Sequence, residues 1–189
     1  MSWIRNIPPA AAAASLAPIY ERIAANARSG KVANLWQAWG GDAGGLDTVH
    51  ASYRALMAEP EPLSAAQAEM IAVVVSATNG CGYCVAHHGP RLSALAGEAL
   101  ARAVARDYRE ANLAARDRVL LDAAVALTCE PSERTRADID RQREYGFDDA
   151  AILKATEIAA LYNMLNRVVS ALGVELEDGL ERWEYGGQR

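Results

Sequence analysis

One stretch of the sequence decides the fold, and it reads Glu69-Met-Ile-Ala-Val-Val-Val-Ser-Ala-Thr-Asn-Gly-Cys81-Gly-Tyr-Cys84-Val-Ala-His87-His88-Gly. Its Asn-Gly step at 79–80 is typical of a turn. We therefore expect one helix that ends near residue 78 and a second helix that carries Cys81 to about residue 95.

The residues before this stretch indicate where the first helix begins. Ser64-Ala-Ala-Gln67 is a capping-box pattern, in which the two polar side chains satisfy free N–H groups at a helix start. The apolar run 70–75 is also compatible with a buried strand, because short apolar runs do not separate the two. The capping box and the alanine-rich flank favour a helix.

The rest of the chain also has helical patterns, without strand-type alternation. About a fifth of the residues are alanine, the strongest helix former, so the sequence predicts an all-α fold. Prolines at 8, 9 and 18 indicate an extended N-terminal arm over 1–17, before a single helical domain over 18–189. The glycines at 40–45 predict a flexible break, and the tail 174–189 is mostly polar. Further helices are expected over about 18–28, 31–39, 46–58, 98–108, 113–128, 132–145 and 148–172.

Composition excludes several classes of function. The 189 residues are 51% hydrophobic and 23% charged, which is ordinary for a globular protein, and the net charge of −5 does not favour nucleic acid or an anionic membrane. No apolar stretch approaches the roughly 18 residues of a transmembrane helix. The first 18 residues make a poor signal peptide, and three cysteines argue against a disulfide scaffold. We therefore expect a cytoplasmic protein.

Cys81, Cys84 and His88 have the spacing of one helix face. At about 100° per residue they fall within an arc of about 60°, and residues three apart on a helix lie about 5 Å apart at Cα, inside the disulfide range. The two cysteines can therefore cycle between dithiol and disulfide with little backbone movement.

Glu69 is the expected partner of His88. It is the only Asp, Glu, Lys or Arg in the quoted stretch, so it is expected to be buried. A buried carboxylate needs a hydrogen-bond donor. If the two helices fold back at the 79–80 turn, position 69 lies within about 3 Å of the level of His88. We expect Glu69 to orient His88, and His88 to take the proton of Cys84 one turn away.

This arrangement suits the reduction of peroxides. A thiolate attacks the O–O bond and becomes a sulfenic acid, which the second cysteine converts to a disulfide. We expect Cys84 to attack, because it lies near His88, and Cys81, nearer the turn and solvent, to resolve. The reverse order stays open, because a helix N-terminus favours thiolate at Cys81.

The core Glu69, Cys81-x-x-Cys84-x-x-x-His88 resembles the AhpD-like alkylhydroperoxidase family, within the carboxymuconolactone decarboxylase superfamily and its peroxidase-related branch. The resemblance covers about 56–97 and, more weakly, 162–173. It implies an AhpD-like helical bundle, assembly into dimers, trimers or hexamers, and thiol-dependent reduction of a hydroperoxide without a cofactor or metal. It also implies that Cys84, Cys81, His88 and Glu69 are catalytic and that a dithiol reductant or adaptor protein supplies electrons. Tyr83 departs from members with a histidine at that position.

Three alternatives remain open from the sequence. Cys81, Cys84, His88 and Glu69 are four possible zinc ligands, although a structural zinc site normally has a second Cys/His pair. A thioredoxin-like dithiol protein would need βαβ units around the cysteines. A redox sensor would be oxidised without turnover.

Several other polar or aromatic side chains receive simpler interpretations. His87 is expected at a surface or interface, Cys129 is interpreted as structural, and His50 is given no role. The tryptophans are expected in the core or in subunit contacts. Tyr162 and its polar neighbours on the last helix either line the pocket or pair across an interface, and these neighbours are Asn163, Asn166 and Arg167.

Overall fold

All regular secondary structure in residues 2–186, which the computed structural model describes, is helical, so the prediction of an all-α fold is confirmed. This part of the chain also has three short 3₁₀ turns. Pro9–Ala11 precedes the first α-helix, and Trp39–Gly41 and Pro131–Glu133 lie between α-helices. The α-helices are α1 (Ala17–Asn26), α2 (Asn34–Ala38), α3 (Ala43–Met57), α4 (Ala65–Thr78), α5 (Gly82–Ala96), α6 (Glu98–Asp107), α7 (Ala115–Cys129), α8 (Arg136–Glu144) and α9 (Asp149–Leu172).

Helix α4 lies at the centre of the bundle, packed against α5, α6, α7 and α9. Eleven of its fourteen residues are buried, so it is apolar around its whole circumference, as a helix surrounded by other helices must be. The predicted capping box is present, with the Gln67 N–H donating to Ser64 Oγ at 3.1 Å and the Ser64 N–H donating to Gln67 Oε1 at 3.0 Å. The strand interpretation of 70–75 is therefore wrong.

The chain reverses between α4 and α5 in a tight turn. Gly80 has a φ of +72°, a left-handed conformation that a side chain would strain. Cys81 then caps α5, which begins at Gly82, one residue later than the sequence predicts. The two helices pack along each other, so residues early in α4 lie near residues late in α5.

The glycine-rich segment before α3 is shorter and more ordered than expected. The 3₁₀ turn Trp39–Gly41 leads directly to Asp42, whose carboxylate accepts a hydrogen bond from the Gly45 N–H at 2.9 Å. This cap starts α3 at Ala43, inside the predicted flexible break. The predicted helix over 132–145 is likewise shorter, because a 3₁₀ turn occupies its first residues.

Both ends of the described chain fold back onto the bundle. The Trp3 N–H donates to the Leu172 carbonyl at 2.7 Å, and the side chain of Leu16 is buried. In the tail, Trp183 is buried, as predicted for the tryptophans, whereas Trp3 is exposed. None of the helices in the described part of the chain combines the length and the apolar character that crossing a membrane requires.

The described chain has two apolar clusters. One surrounds α4 and includes residues of α6, α7 and α9. The other joins α1, α2 and α3 to another face of α9, and it contains Cys81 and Cys84. The cysteines therefore lie where the N-terminal helices cover the central bundle.

Candidate active site

The predicted pair of Glu69 and His88 is present and buried. Glu69 Oε2 lies 2.7 Å from His88 Nδ1, and the two residues are 7% and 6% exposed. Because a carboxylate only accepts hydrogen bonds, Nδ1 carries the proton and donates it to Glu69. The fold-back of α5 along α4 brings these side chains together, as the sequence predicts.

His88 is held from its other side by Tyr162 of α9. The Tyr162 hydroxyl lies 3.0 Å from His88 Nε2, and the two rings meet edge to face at 4.9 Å between centroids. Burial lowers the pKa of His88, although Glu69 raises it in opposition, so the ring is neutral at neutral pH. The unprotonated Nε2 then accepts a hydrogen bond from Tyr162. Of the two sequence-based interpretations of Tyr162, the structure supports the pocket.

Arg91 and Tyr53 complete the surroundings of Glu69. The Arg91 guanidinium lies 3.9 Å from Glu69 Oε1 and donates a hydrogen bond to the Tyr53 hydroxyl. The Tyr53 ring in turn faces the His88 ring at 6.4 Å. Arg91 is one turn after His88, a spacing that the sequence analysis overlooked. It partly balances the carboxylate charge that the site buries.

The two cysteine sulfurs are in contact, with their Sγ atoms 2.9 Å apart. Cys81 is 2% exposed and Cys84 is 4% exposed, so both thiols are buried and solvent exposure does not distinguish them. In the described chain the ring nitrogens of His88 bond to Glu69 and Tyr162 rather than to Cys84. The direct His88–Cys84 contact that one helical turn suggested is therefore not formed.

The two thiols differ in acidity. A hydrogen bond from the Cys84 thiol lowers the pKa of Cys81, and backbone N–H groups of the first turn of α5 and the Asn166 amide act in the same direction. The same contact and burial raise the pKa of Cys84 well above its ordinary value. Of the two thiols, Cys81 is therefore the one that loses its proton more easily, as its position at the helix N-terminus favours.

A second carboxylate, which the sequence analysis did not identify, binds the other face of α5. Glu177 Oε1 accepts hydrogen bonds from the Tyr83 hydroxyl at 2.8 Å and the Asn34 N–H at 2.6 Å, while Glu177 Oε2 lies 2.8 Å from His87 Nε2. Burial opposes the ionisation of Glu177, but these donors lower its pKa to about 2. His87 is thus partly buried in a polar contact within the chain.

The remaining sequence-predicted groups have other surroundings. His50 is buried against the Trp36 ring, with 5.3 Å between ring centroids, and Cys129 is exposed at the end of α7. Among residues 2–186, no group of three or more His, Cys, Asp or Glu side chains is arranged to hold a metal ion. The zinc alternative therefore has no ligand set there, since Tyr162 and Glu69 already bind both ring nitrogens of His88.

Comparison with known proteins gives the following matches. The carboxymuconolactone decarboxylase family matches residues 46–99, which include α4, the cysteines and His88. A peroxidase-related protein from Silicibacter sp. TM1040 is 32% identical, with 93% of this chain and 92% of that chain covered and a TM-score of 0.84. A peroxidase-related protein from Ralstonia eutropha JMP134, described as an alkylhydroperoxidase AhpD core, is 28% identical, with coverage of 94% and 93% and a TM-score of 0.85.

A more distant structure shares the fold alone. The debrominase Bmp8, solved in complex with 2,3,4-tribromopyrrole, is 17% identical, with 94% of this chain and 95% of that chain covered and a TM-score of 0.77. No curated protein matches the chain.

Proposed function

Because the chain belongs to the AhpD-like family of the carboxymuconolactone decarboxylase superfamily, we propose that it is a thiol-dependent peroxidase that reduces hydrogen peroxide or organic hydroperoxides. The observation that carries the proposal is a pair of buried thiols in contact, beside a buried, hydrogen-bonded carboxylate–imidazole pair. Other AhpD-like proteins that match the chain are called peroxidase-related, which supports the same reaction class.

In the first step, the Cys81 thiolate attacks one oxygen of the peroxide. The S–O bond forms as the O–O bond breaks, the sulfur is oxidised to a sulfenic acid, and the leaving alkoxide takes a proton to become an alcohol, or water from hydrogen peroxide. The lower pKa of Cys81 supports this order over the sequence-based expectation that Cys84 attacks. Cys84, whose pKa is raised, then has to lose its proton in the next step.

In the second step, Cys84 attacks the sulfenic sulfur of Cys81. The disulfide forms, hydroxide leaves, and the proton of Cys84 ends on that hydroxide as water, so one dithiol and one peroxide give a disulfide, an alcohol and water. The relay is needed here, because the pKa of Cys84 is raised and a neutral imidazole can accept its proton. Glu69 stabilises the imidazolium that forms.

The Tyr162 hydroxyl is the proposed link between Cys84 and this imidazole. It lies 3.0 Å from His88 Nε2, and burial raises the pKa of Tyr162 well above its ordinary value, so the hydroxyl stays protonated. A phenol that both donates and accepts can pass a proton from the thiol side to Nε2 without itself ionising. Tyr162 therefore joins the four residues that the sequence identifies.

A dithiol donor completes the cycle. Exchange of the Cys81–Cys84 disulfide with two thiols of a small molecule or an adaptor protein restores the protein dithiol and leaves the donor as a disulfide. Self-association and a cytoplasmic location stay predictions.

The test separates an enzyme from a redox sensor. Peroxide consumption is followed with several dithiol donors in excess, for the wild type and for Cys84→Ser, with Cys129→Ser as the matched control on an exposed thiol. We expect many turnovers in the wild type and in the control. Cys84→Ser should turn over much more slowly, because only the donor itself can then reduce the sulfenic acid of Cys81. Oxidation that stops after one equivalent of peroxide in every donor would contradict the proposal and favour the sensor.

A further inference from the structure

The chain after α9 forms a strap that runs over the cysteine-bearing helix. This C-terminal strap, residues 174–186, has no helix or strand and contacts α5 at three levels. Glu177 forms side-chain hydrogen bonds with Tyr83 and His87 in the first two turns of α5. Farther along α5, the Trp183 ring covers Gly89, where an added Cβ would lie 2.5 Å from the ring. The strap is therefore seated specifically on this helix.

Tyr185 seats the strap on the backbone next to Cys81. Its hydroxyl donates to the Gly80 carbonyl at 3.1 Å, and a Cβ added at Gly82 would lie 3.0 Å from its ring. Gly80 and Gly82 are the two neighbours of Cys81 in the chain. The aromatic ring thus packs against backbone on both sides of the more acidic thiol, in space that a glycine leaves open.

The two cysteines are almost completely covered in this conformation. Cys81 is 2% exposed and Cys84 is 4% exposed, and neither lines the cavity of about 510 Å³ beside α1 or the cavity of about 140 Å³ beside α7 and α8. The cysteines share an apolar cluster with buried α9 residues such as Leu161 and Leu165. On the outer side, Tyr185 is 39% exposed and its segment lacks regular secondary structure, so this part of the cover costs least to move.

We propose that Tyr185 of the C-terminal strap is a size filter for the dithiol, admitting small peroxides and thiol reagents and excluding bulky ones until its ring is displaced. The inference rests on the proposed peroxidase function and adds a selectivity for it. Hydrogen peroxide passes the closed strap, whereas an aromatic hydroperoxide or a protein dithiol needs the ring of Tyr185 displaced. Glu177 and Trp183 keep the rest of the strap seated during this movement.

Thiol labelling tests the filter without any assumption about catalysis. Full-length protein in the Cys129→Ser background is labelled under native conditions with iodoacetamide or with fluorescein maleimide, for Tyr185→Ala and for Tyr145→Ala. The control tyrosine is exposed to a similar extent, 40% against 39%, and lies at the end of α8. In Tyr185→Ala we expect maleimide labelling to become about tenfold faster, as for the loss of one hydrogen bond and its ring contact, with iodoacetamide labelling little changed.

Activity gives a second readout. For Tyr185→Ala the ratio of kcat/KM for cumene hydroperoxide to kcat/KM for hydrogen peroxide should rise by about tenfold, and for Tyr145→Ala it should not change. If Tyr185→Ala unfolds, Glu177→Gln provides a second variant that loosens the strap from its other end. It should also raise the rate of maleimide labelling and the ratio of kcat/KM for cumene hydroperoxide to kcat/KM for hydrogen peroxide.

Each labelling rate is divided by the rate of the same reagent with free cysteine. The filter would be overturned if the two relative rates were equal in the wild type, or if Tyr185→Ala and Glu177→Gln left the ratio of kcat/KM values unchanged. A wild type that consumes no peroxide, yet shows the expected labelling pattern, would instead refute the peroxidase function and leave the filter standing.

Discussion

Replacing Glu69 by Gln tests the carboxylate–imidazole pair with almost no change of shape. The amide oxygen can still accept the hydrogen bond that His88 Nδ1 now donates at 2.7 Å, but it is neutral. Hydrogen bonds to charged groups contribute about 1.5–3 kcal/mol and neutral ones about 0.5–1.5 kcal/mol, so roughly 1–2 kcal/mol of imidazolium stabilisation is lost. If this whole loss of stabilisation raises the free energy of the transition state, turnover slows by about 5- to 30-fold.

The assay for Glu69→Gln is kcat for peroxide consumption at saturating dithiol, with Glu157→Gln on the exposed face of α9 as the matched control. The carboxylate raises the pKa of His88 against the effect of burial, so the variant should lower that pKa further, as followed by NMR of the ring. Because Glu69 acts through His88, the double variant with His88→Asn should be no slower than His88→Asn alone. Full turnover in Glu69→Gln, or additive losses in the double variant, would refute the relay.

Three further predictions follow from the same geometry. Tyr162→Phe should slow turnover by about 10- to 100-fold and cost about 1 kcal/mol of stability in urea unfolding, because it removes a proton link and leaves His88 Nε2 without a donor. Gly89→Ala should destabilise the fold by about 1–3 kcal/mol in the same measurement, because the new methyl group meets the Trp183 ring. Iodoacetamide alkylation of Cys81 should rise with pH at a midpoint below the roughly 8.5 of a free thiol, since a thiol with a lowered pKa ionises earlier.

Each of these has a control within the chain. Tyr145→Phe removes the hydroxyl of an exposed tyrosine, and Gly41→Ala adds a methyl group in open space. The exposed thiol of Cys129 gives the reference midpoint for alkylation. Unchanged kcat in Tyr162→Phe, equal stability of the two alanine variants, or equal midpoints for the two thiols would contradict the corresponding prediction.

The sequence predicts the features of the fold and site that depend on local sequence patterns and on the single turn between α4 and α5. The capping box fixes the start of α4, and the turn at Gly80 then determines which residues of α5 face Glu69. His88 could be paired with Glu69 for that reason alone. The start of α3 was misplaced because the Asp42 cap outweighs the flexibility of the glycines that follow it.

Contacts between distant segments could not be predicted in this way. Helical periodicity places Tyr162 on the inner face of α9, but it does not say which imidazole its hydroxyl reaches. Glu177 lies in an irregular segment, 90 residues from His87 and 143 from Asn34, so no local pattern identifies it as an anchor. Which of the two thiols ionises first likewise depends on hydrogen-bond donors that only the folded chain brings to Cys81.

The most direct test of the central claim is peptide mapping by mass spectrometry after one equivalent of hydrogen peroxide. Remaining thiols are blocked with iodoacetamide in denaturant, and the protein is then digested without a reductant. The account predicts that Cys81 and Cys84 are recovered as one disulfide, two hydrogen atoms lighter than the dithiol, while Cys129 is alkylated. Recovery of Cys81 and Cys84 as alkylated thiols, with the oxidation on Cys129 or absent, would contradict it.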